Sequence, residues 1–159
     1  MGAFFNGFLL IAAFLFMEFV AWFTHKYVMH GFLWILHKDH HIRDGRKCEW
    51  NDVFAVIFAL PSFLLVFTGA GAGFDWRFYL GLGIALYGLA YFLFHDVLVH
   101  QRIPILNKLR NRYLRATLAA HYDHHKPHAH YNYGFLVAPW KYYRMEWQRA
   151  KSVKTGKLQ

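Results

Sequence analysis

Twelve histidines stand in this 159-residue chain, and ten of them fall into four short groups. "HKYVMH" (His25 to His30) and "HDVLVH" (His95 to His100) each hold a pair five residues apart. "HKDHH" (His37, His40, His41) and "HYDHH" (His121, His124, His125) each hold three at i, i+3 and i+4. Imidazole suits zinc, copper, iron and nickel, so the chemistry these spacings suggest is metal binding, without naming the metal. On an α-helix, positions i, i+3 and i+4 fall on one face. Each HxxHH group can thus present three nitrogens to one side, nearly enough for a divalent ion. A chance run on a helix face is the bland alternative, and the recurrence argues against it.

The pairs five apart lie about 140° from each other on a regular α-helix. Either their members bind different metals, or the helix widens locally in a π-bulge, or an ion lodges beside the helix between the two. The spacing alone does not choose. One ion takes at most about six ligands. Ten imidazoles (His25, His30, His37, His40, His41, His95, His100, His121, His124 and His125) therefore imply two metals. Asp39 and Asp123 occupy the same place in the two HxxHH groups, and Asp96 follows His95. A ligating histidine generally gives its other N–H to a carboxylate or carbonyl. The three aspartates are therefore candidates to orient ligands, with a solvated helix face as the alternative. His128 and His130 fall outside the pattern, where a surface or supporting place is expected.

The elements that must position these groups are apolar. The chain is 57% hydrophobic and only 17% charged, where a soluble domain carries about 25% charged residues. "AFFNGFLLIAAFLFMEFVAWF" (3–23) is long enough to cross a bilayer, at about 20 residues. With no basic n-region and no small-residue cleavage site, it reads as a span rather than a signal peptide. Glu18 sits in its last third, where an ionisable group either has a task or snorkels to the interface. "VFAVIFALPSFLLVFTGAGAGF" (53–74) gives a second span over about 53–70, kinked by Pro61, and its "GAGAGFD" end reads as a turn. "WRFYLGLGIALYGLAYFLF" (76–94) gives a third, whose small residues let a neighbouring helix approach closely. The expectation is an all-α membrane protein, residues 1–159 forming one domain with about three transmembrane helices and a cytoplasmic His-rich helical cap.

Of the 18 lysines and arginines, 17 fall in residues 24–52 and 95–159; the remaining one is Arg77. The positive-inside rule puts both polar regions, and with them all 12 histidines, on the cytoplasmic side. That topology accounts for the net charge of +9, and no nucleic-acid motif is present. The single cysteine, Cys48, excludes an internal disulfide and reads as a free thiol.

Four motifs, HxxxxH, HxxHH, HxxxxH and HxxHH, on one side of a small membrane protein resemble those of the membrane-bound non-haem di-iron hydroxylases and desaturases, the fatty acid hydroxylase / sterol desaturase superfamily. Within it, "MEFVAWFTHKYVMHGFLW", "LHKDHH", "NDVFAVIFALPS" and "LYGLAYFLFHDVLVHQRIP" look like the bacterial β-carotene hydroxylases over most of residues 17–125. The tail keeps a family-like "YGFLVAP" but carries extra histidines. The resemblance implies a bacterial inner-membrane monooxygenase acting on the β-ionone rings of β-carotene, giving β-cryptoxanthin and then zeaxanthin. It implies two iron ions held by the ten histidines, O2 as co-substrate, and electrons from ferredoxin or a similar donor. Zinc has no redox chemistry, so zinc in a purified sample would mark replacement of the native metal.

A carotenoid lives in the bilayer. Phe23, Phe32, Trp34, Phe92 and Phe94 are candidates to line its passage, against generic packing. Arg43, Arg46, Lys47 and the arginines of 110–115 are candidates to dock an acidic donor, against simple topology. The competing readings are the same iron chemistry on another lipid (acyl hydroxylase, desaturase or carotenoid ketolase) and a metal transporter. A transporter should hold its ligands near the membrane midplane, whereas these gather at one edge.

Overall fold

The computed structural model describes residues 2–42, 48–103, 111–126 and 131–154. His128, His130, Arg43, Arg46, Lys47 and Arg110 lie outside the described residues. Among the described residues every regular element is helical: α1 (Ala3–Phe23), α2 (Trp34–His41), α3 (Asp52–Gly71), α4 (Trp76–Tyr91), α5 (Arg112–His124) and α6 (Trp140–Lys154), with π-helical segments at Thr24–Phe32 and Phe92–Val99. Three stretches are long and apolar enough to cross a membrane: Ala3–Phe32, Asp52–Gly71 and Trp76–Val99. The fold is the all-α membrane class read from the sequence, with histidine-rich helices outside those spans.

The first and third stretches outrun their apolar blocks. The sequence places their ends at 23 and 94, where histidines and charges begin. The backbone nevertheless stays helical to Phe32 and to Val99, because a helix satisfies its own N–H and C=O groups whatever its side chains. Gly31, at φ −100° and ψ −124°, breaks the first extension.

The chain divides into two compact units, Met1–Leu93 and Phe94–Gln159. In the first, α4 packs against both α1 and α3 through small residues. A Cβ on Gly83 would stand 2.5 Å from the Leu10 carbonyl oxygen, and one on Gly81 would stand 2.8 Å from that of Ser62. These close approaches suit helices that associate through van der Waals contact. Ser62 Oγ donates to the Gly81 carbonyl at 2.8 Å, and α3 runs as one helix through Pro61. Glu18 of α1 accepts a hydrogen bond from the hydroxyl of Tyr87 on α4 at 2.7 Å, so the carboxylate is held within the helix packing. The Gly-rich end of α3 turns into α4 through Gly73 (φ +80°), and Asp75 caps α4 by accepting the Arg77 N–H at 3.0 Å.

In the second unit α5 and α6 enclose a small core of Ala116, Ala120, Ala138 and Tyr142. Asn111 caps α5, accepting the Leu114 N–H at 2.8 Å. Arg115 Nε donates to Glu146 at 2.5 Å across the helix pair, and the rings of Tyr113 and Tyr143 stack with centroids 6.3 Å apart.

Candidate metal centre

The first unit contributes His25 and His30 from the π-helical segment and His37, His40 and His41 from α2. A wider helical turn resolves the i, i+5 spacing: the two rings of the first pair come to 4.9 Å, centroid to centroid. One nitrogen from each of His25, His30, His37 and His41 lies within 4.8 Å of the corresponding atom of the other three. His25 and His37 meet Nε2 to Nε2 at 3.1 Å, and His41 and His37 at 3.2 Å. Neighbouring ligands of one ion, with bonds of about 2.1 Å at right angles, stand about 3 Å apart. The four nitrogens therefore have the spacing of a ligand shell.

The HxxHH group does not act as one block. His37 and His41 belong to this group of four and His40 does not. At about 100° per residue, His40 and His41 sit on opposite flanks of His37. The Nδ1 of His40 instead faces Glu49 Oε2 at 3.0 Å, and that of His37 faces Asn51 Oδ1 at 2.7 Å. An N–H fixed at Nδ1 leaves Nε2 with its lone pair, the tautomer a metal requires. His25, His37 and His40 are all at most 2% exposed. Trp34 lies against the group, its ring 5.2 Å from His30 and 5.3 Å from His41.

The second unit repeats the plan. In its π-helical segment the His100 N–H reaches the His95 carbonyl at 2.9 Å, and the two rings are 4.6 Å apart. One nitrogen from each of His95, His100 and His121 lies within 4.8 Å of the others. His100 and His121 meet at 3.0 Å between Nε2 atoms, and the His125 ring is 4.5 Å from that of His121. His124 turns its Nδ1 to the Tyr131 carbonyl at 2.9 Å. Burial first, then repulsion from His95, His125, His100 and His124, pushes the His121 imidazole well below its usual range. Burial likewise lowers His124, against the opposing bond to the Tyr131 carbonyl. Both shifts favour the neutral imidazole, the form in which a histidine can bind metal.

The three aspartates take different places. Asp96 lies 3.5 Å from His95 Nδ1 and 3.2 Å from Arg102 Nε. Asp39 accepts the Trp50 backbone N–H at 2.7 Å, tying α2 to the segment before α3. Asp123 accepts from Tyr142 Oη at 2.7 Å and from Lys126 Nζ at 2.5 Å, and the Lys126 bond leads the causes that hold its carboxyl below the usual range. The partners not foreseen are Glu49, Asn51 and the Tyr131 carbonyl. The polar "CEWND" directly before an apolar block was the available signal for the first two. The "YGFLVAP" tail also reaches the histidines: Tyr133 packs on His124 and Phe135 on His95, at 5.1 and 5.4 Å. Cys48 is an exposed free thiol.

The chain combines span-length helices with largely buried groups of imidazoles close enough to hold a metal ion. The chain belongs to the fatty acid hydroxylase family, whose model matches residues 10–143, which places it among hydroxylases. It is 40% identical over 126 residues to a β-carotene hydroxylase of Pantoea ananas, covering 77% of this chain and 71% of that protein. It is 38% identical over 136 residues to a β-carotene hydroxylase of Pseudescherichia vulneris, covering 84% and 77%. A chloroplastic β-carotene 3-hydroxylase of Arabidopsis thaliana is 40% identical over 112 residues, covering 69% of this chain and 37% of the relative. No solved structure matches.

Proposed function

We propose that this chain is a carotenoid 3-hydroxylase, inserting oxygen from O2 into the ring C–H bonds of β-carotene to give β-cryptoxanthin and then zeaxanthin. One observation carries the reading: a histidine pair on a π-helical segment followed by an HxxHH group, twice over along the chain. The names of the relatives support the substrate. Residues 1–159 then work as one integral-membrane hydroxylase domain.

The residues fit iron. All donors are imidazole, a ligand type iron accepts, and the closest nitrogens are 3.0 to 3.2 Å apart. Two iron ions would be held among the ten histidines His25, His30, His37, His40, His41, His95, His100, His121, His124 and His125. Bound iron supplies the O2 activation that no side chain provides for an unactivated C–H bond.

The chain does the rest. Burial of His25, His37, His40, His95 and His124 keeps water from the donor atoms. Asn51, Glu49 and the Tyr131 carbonyl hold the rings in one tautomer and orientation. Phe23, Phe32, Trp34 and Phe92 are exposed, and suit an apolar substrate arriving from lipid; Phe94 is buried and serves packing. Electrons come from ferredoxin or a similar acidic donor drawn to the basic surface. The membrane is a bacterial inner membrane, with the histidines on its cytoplasmic side.

Expression in bacteria that accumulate β-carotene tests this. Chromatography is expected to show β-cryptoxanthin and zeaxanthin. The description of the matching family favours a second reading, the same iron chemistry on an acyl chain or another carotenoid position. Unchanged β-carotene beside new hydroxylated or desaturated acyl chains, or a ketocarotenoid, would select it. Absence of every oxidised product with iron and reduced donor supplied would remove both.

A further inference from the structure

Helix α6, "WKYYRMEWQRAKSVK", serves none of the histidines directly, yet its composition is unusual for a surface helix. Its inner side carries Tyr142, which is 2% exposed, and Glu146, paired to Arg115. At about 100° per residue, positions 140, 144, 147 and 151 line up on the other side as Trp, Arg, Trp and Lys. Trp140 is 70% exposed and Trp147 is 55% exposed. Lys151 Nζ lies 5.7 Å from the Trp147 ring centre, and Lys141 Nζ 4.7 Å from that of Tyr142. The helix turns its one carboxylate inward and keeps its outer charge positive.

We propose that the outer face of α6 is a lipid-contacting surface. It lies in the headgroup layer of an anionic bilayer, with Trp140 and Trp147 at the boundary with the acyl chains and Lys141, Arg144 and Lys151 on the phosphates. Two exposed indoles would be a liability in water and are at home at a membrane interface. Basic residues among them attract anionic headgroups, the pattern of helices that lie on a membrane rather than across it. The chain already carries three span-length helices, so a bilayer is always close at hand. An acidic protein would match the charge but would not need bare indoles beside it. This inference stands apart from the iron reading.

The test uses the full chain with Cys48→Ser, in nanodiscs of phosphatidylcholine with phosphatidylglycerol. A nitroxide is attached through Trp147→Cys, or through Arg149→Cys on the far side of the helix. Power saturation is expected to show the label at 147 shielded from an aqueous nickel reagent and open to oxygen, with the label at 149 open to nickel. Omitting phosphatidylglycerol or raising salt should weaken the shielding at 147. A label through Trp140→Cys, on the same stripe, keeps the answer available if the first variant does not fold. Equal nickel access at 140, 147 and 149 overturns the proposal. Nickel access at 147 in lipid alone, lost only on adding an acidic ferredoxin, also overturns it and marks a protein-docking face.

Discussion

The backbone N–H of His100 reaches the carbonyl of His95, five residues back, at 2.9 Å. That bond belongs to a π-helix, and Val28 and Leu33 make the same i, i+5 bond at 2.9 Å at the end of the first π-helical segment. Long π-helical runs are rare and concentrate at functional sites. Here the wider turn brings the His95 and His100 rings to 4.6 Å, where a regular α-helix would hold them about 140° apart.

Removing one imidazole from either group should cost metal before it costs fold. His37→Ala and His100→Ala are expected to lower iron per chain and abolish turnover. Circular dichroism should stay helical, because both residues lie on elements whose backbone bonds do not involve the ring. Metal analysis of the purified variants checks this; full iron retention in both would count against the ligand assignment.

Asn51 and Glu49 reach the rings from outside the histidine motifs. Asn51→Ala and Glu49→Ala are expected to weaken metal affinity or activity by roughly 10- to 100-fold, and Asn51→Asp to keep more of both. Asp39→Asn is expected to act on stability instead, since Asp39 holds the Trp50 N–H. Metal titration and thermal melts in detergent separate the two outcomes.

Gly83 and Gly88 sit on the same helix and should differ sharply. A Cβ at 83 meets the Leu10 carbonyl at 2.5 Å, whereas one at 88 meets nothing within 4 Å. Gly83→Ala should cost about 1–3 kcal/mol by forcing α1 from α4, and Gly88→Ala should be neutral or slightly stabilising. Melting temperatures of the two variants in detergent decide it.

Tyr87→Phe removes the donor to Glu18 within the first unit. A loss of about 0.5–1.5 kcal/mol is expected, whereas Glu18→Gln, whose side-chain oxygen still accepts, should cost less. Chemical denaturation in mixed micelles measures both.

Acid should act through His121 and His124. Burial holds their folded-state protonation below the ordinary imidazole value. The unfolded chain therefore binds more protons as pH drops below about 6.5. Their contribution is present above that pH and is lost as pH falls towards the folded-state values. Protons and metal also compete for the same lone pairs. Metal retention on dialysis, and the melting temperature of metal-free protein, should both fall on acidification from pH 7.5 to 5.5.

The helical class and the three span-length stretches were legible because long apolar runs leave few other structures. The four histidine groups were legible because their spacings repeat. The ends of the first and third stretches were not: polar side chains at His25 and His95 close an apolar block without closing the helix. The split within "HKDHH" was also hidden, because sharing a face allows either flank, and only the return of Glu49 and Asn51 beside α2 separates His40 from His37. The bond between Glu18 and Tyr87 joins residues 69 apart, which no local pattern reports.

The first histidine pair rides on the same unbroken rod as α1. From Ala3 to His25 that rod rises about 33 Å, at about 1.5 Å per residue, against a hydrocarbon layer about 30 Å thick. Rod length therefore works as a depth gauge, setting how far these imidazoles clear the oily interior. A thicker layer, such as one of longer-tailed lipids, draws them towards the hydrocarbon; a thinner one lifts them away or tilts the rod. The choice of host membrane thus becomes a control on the height of these imidazoles, with no residue changed.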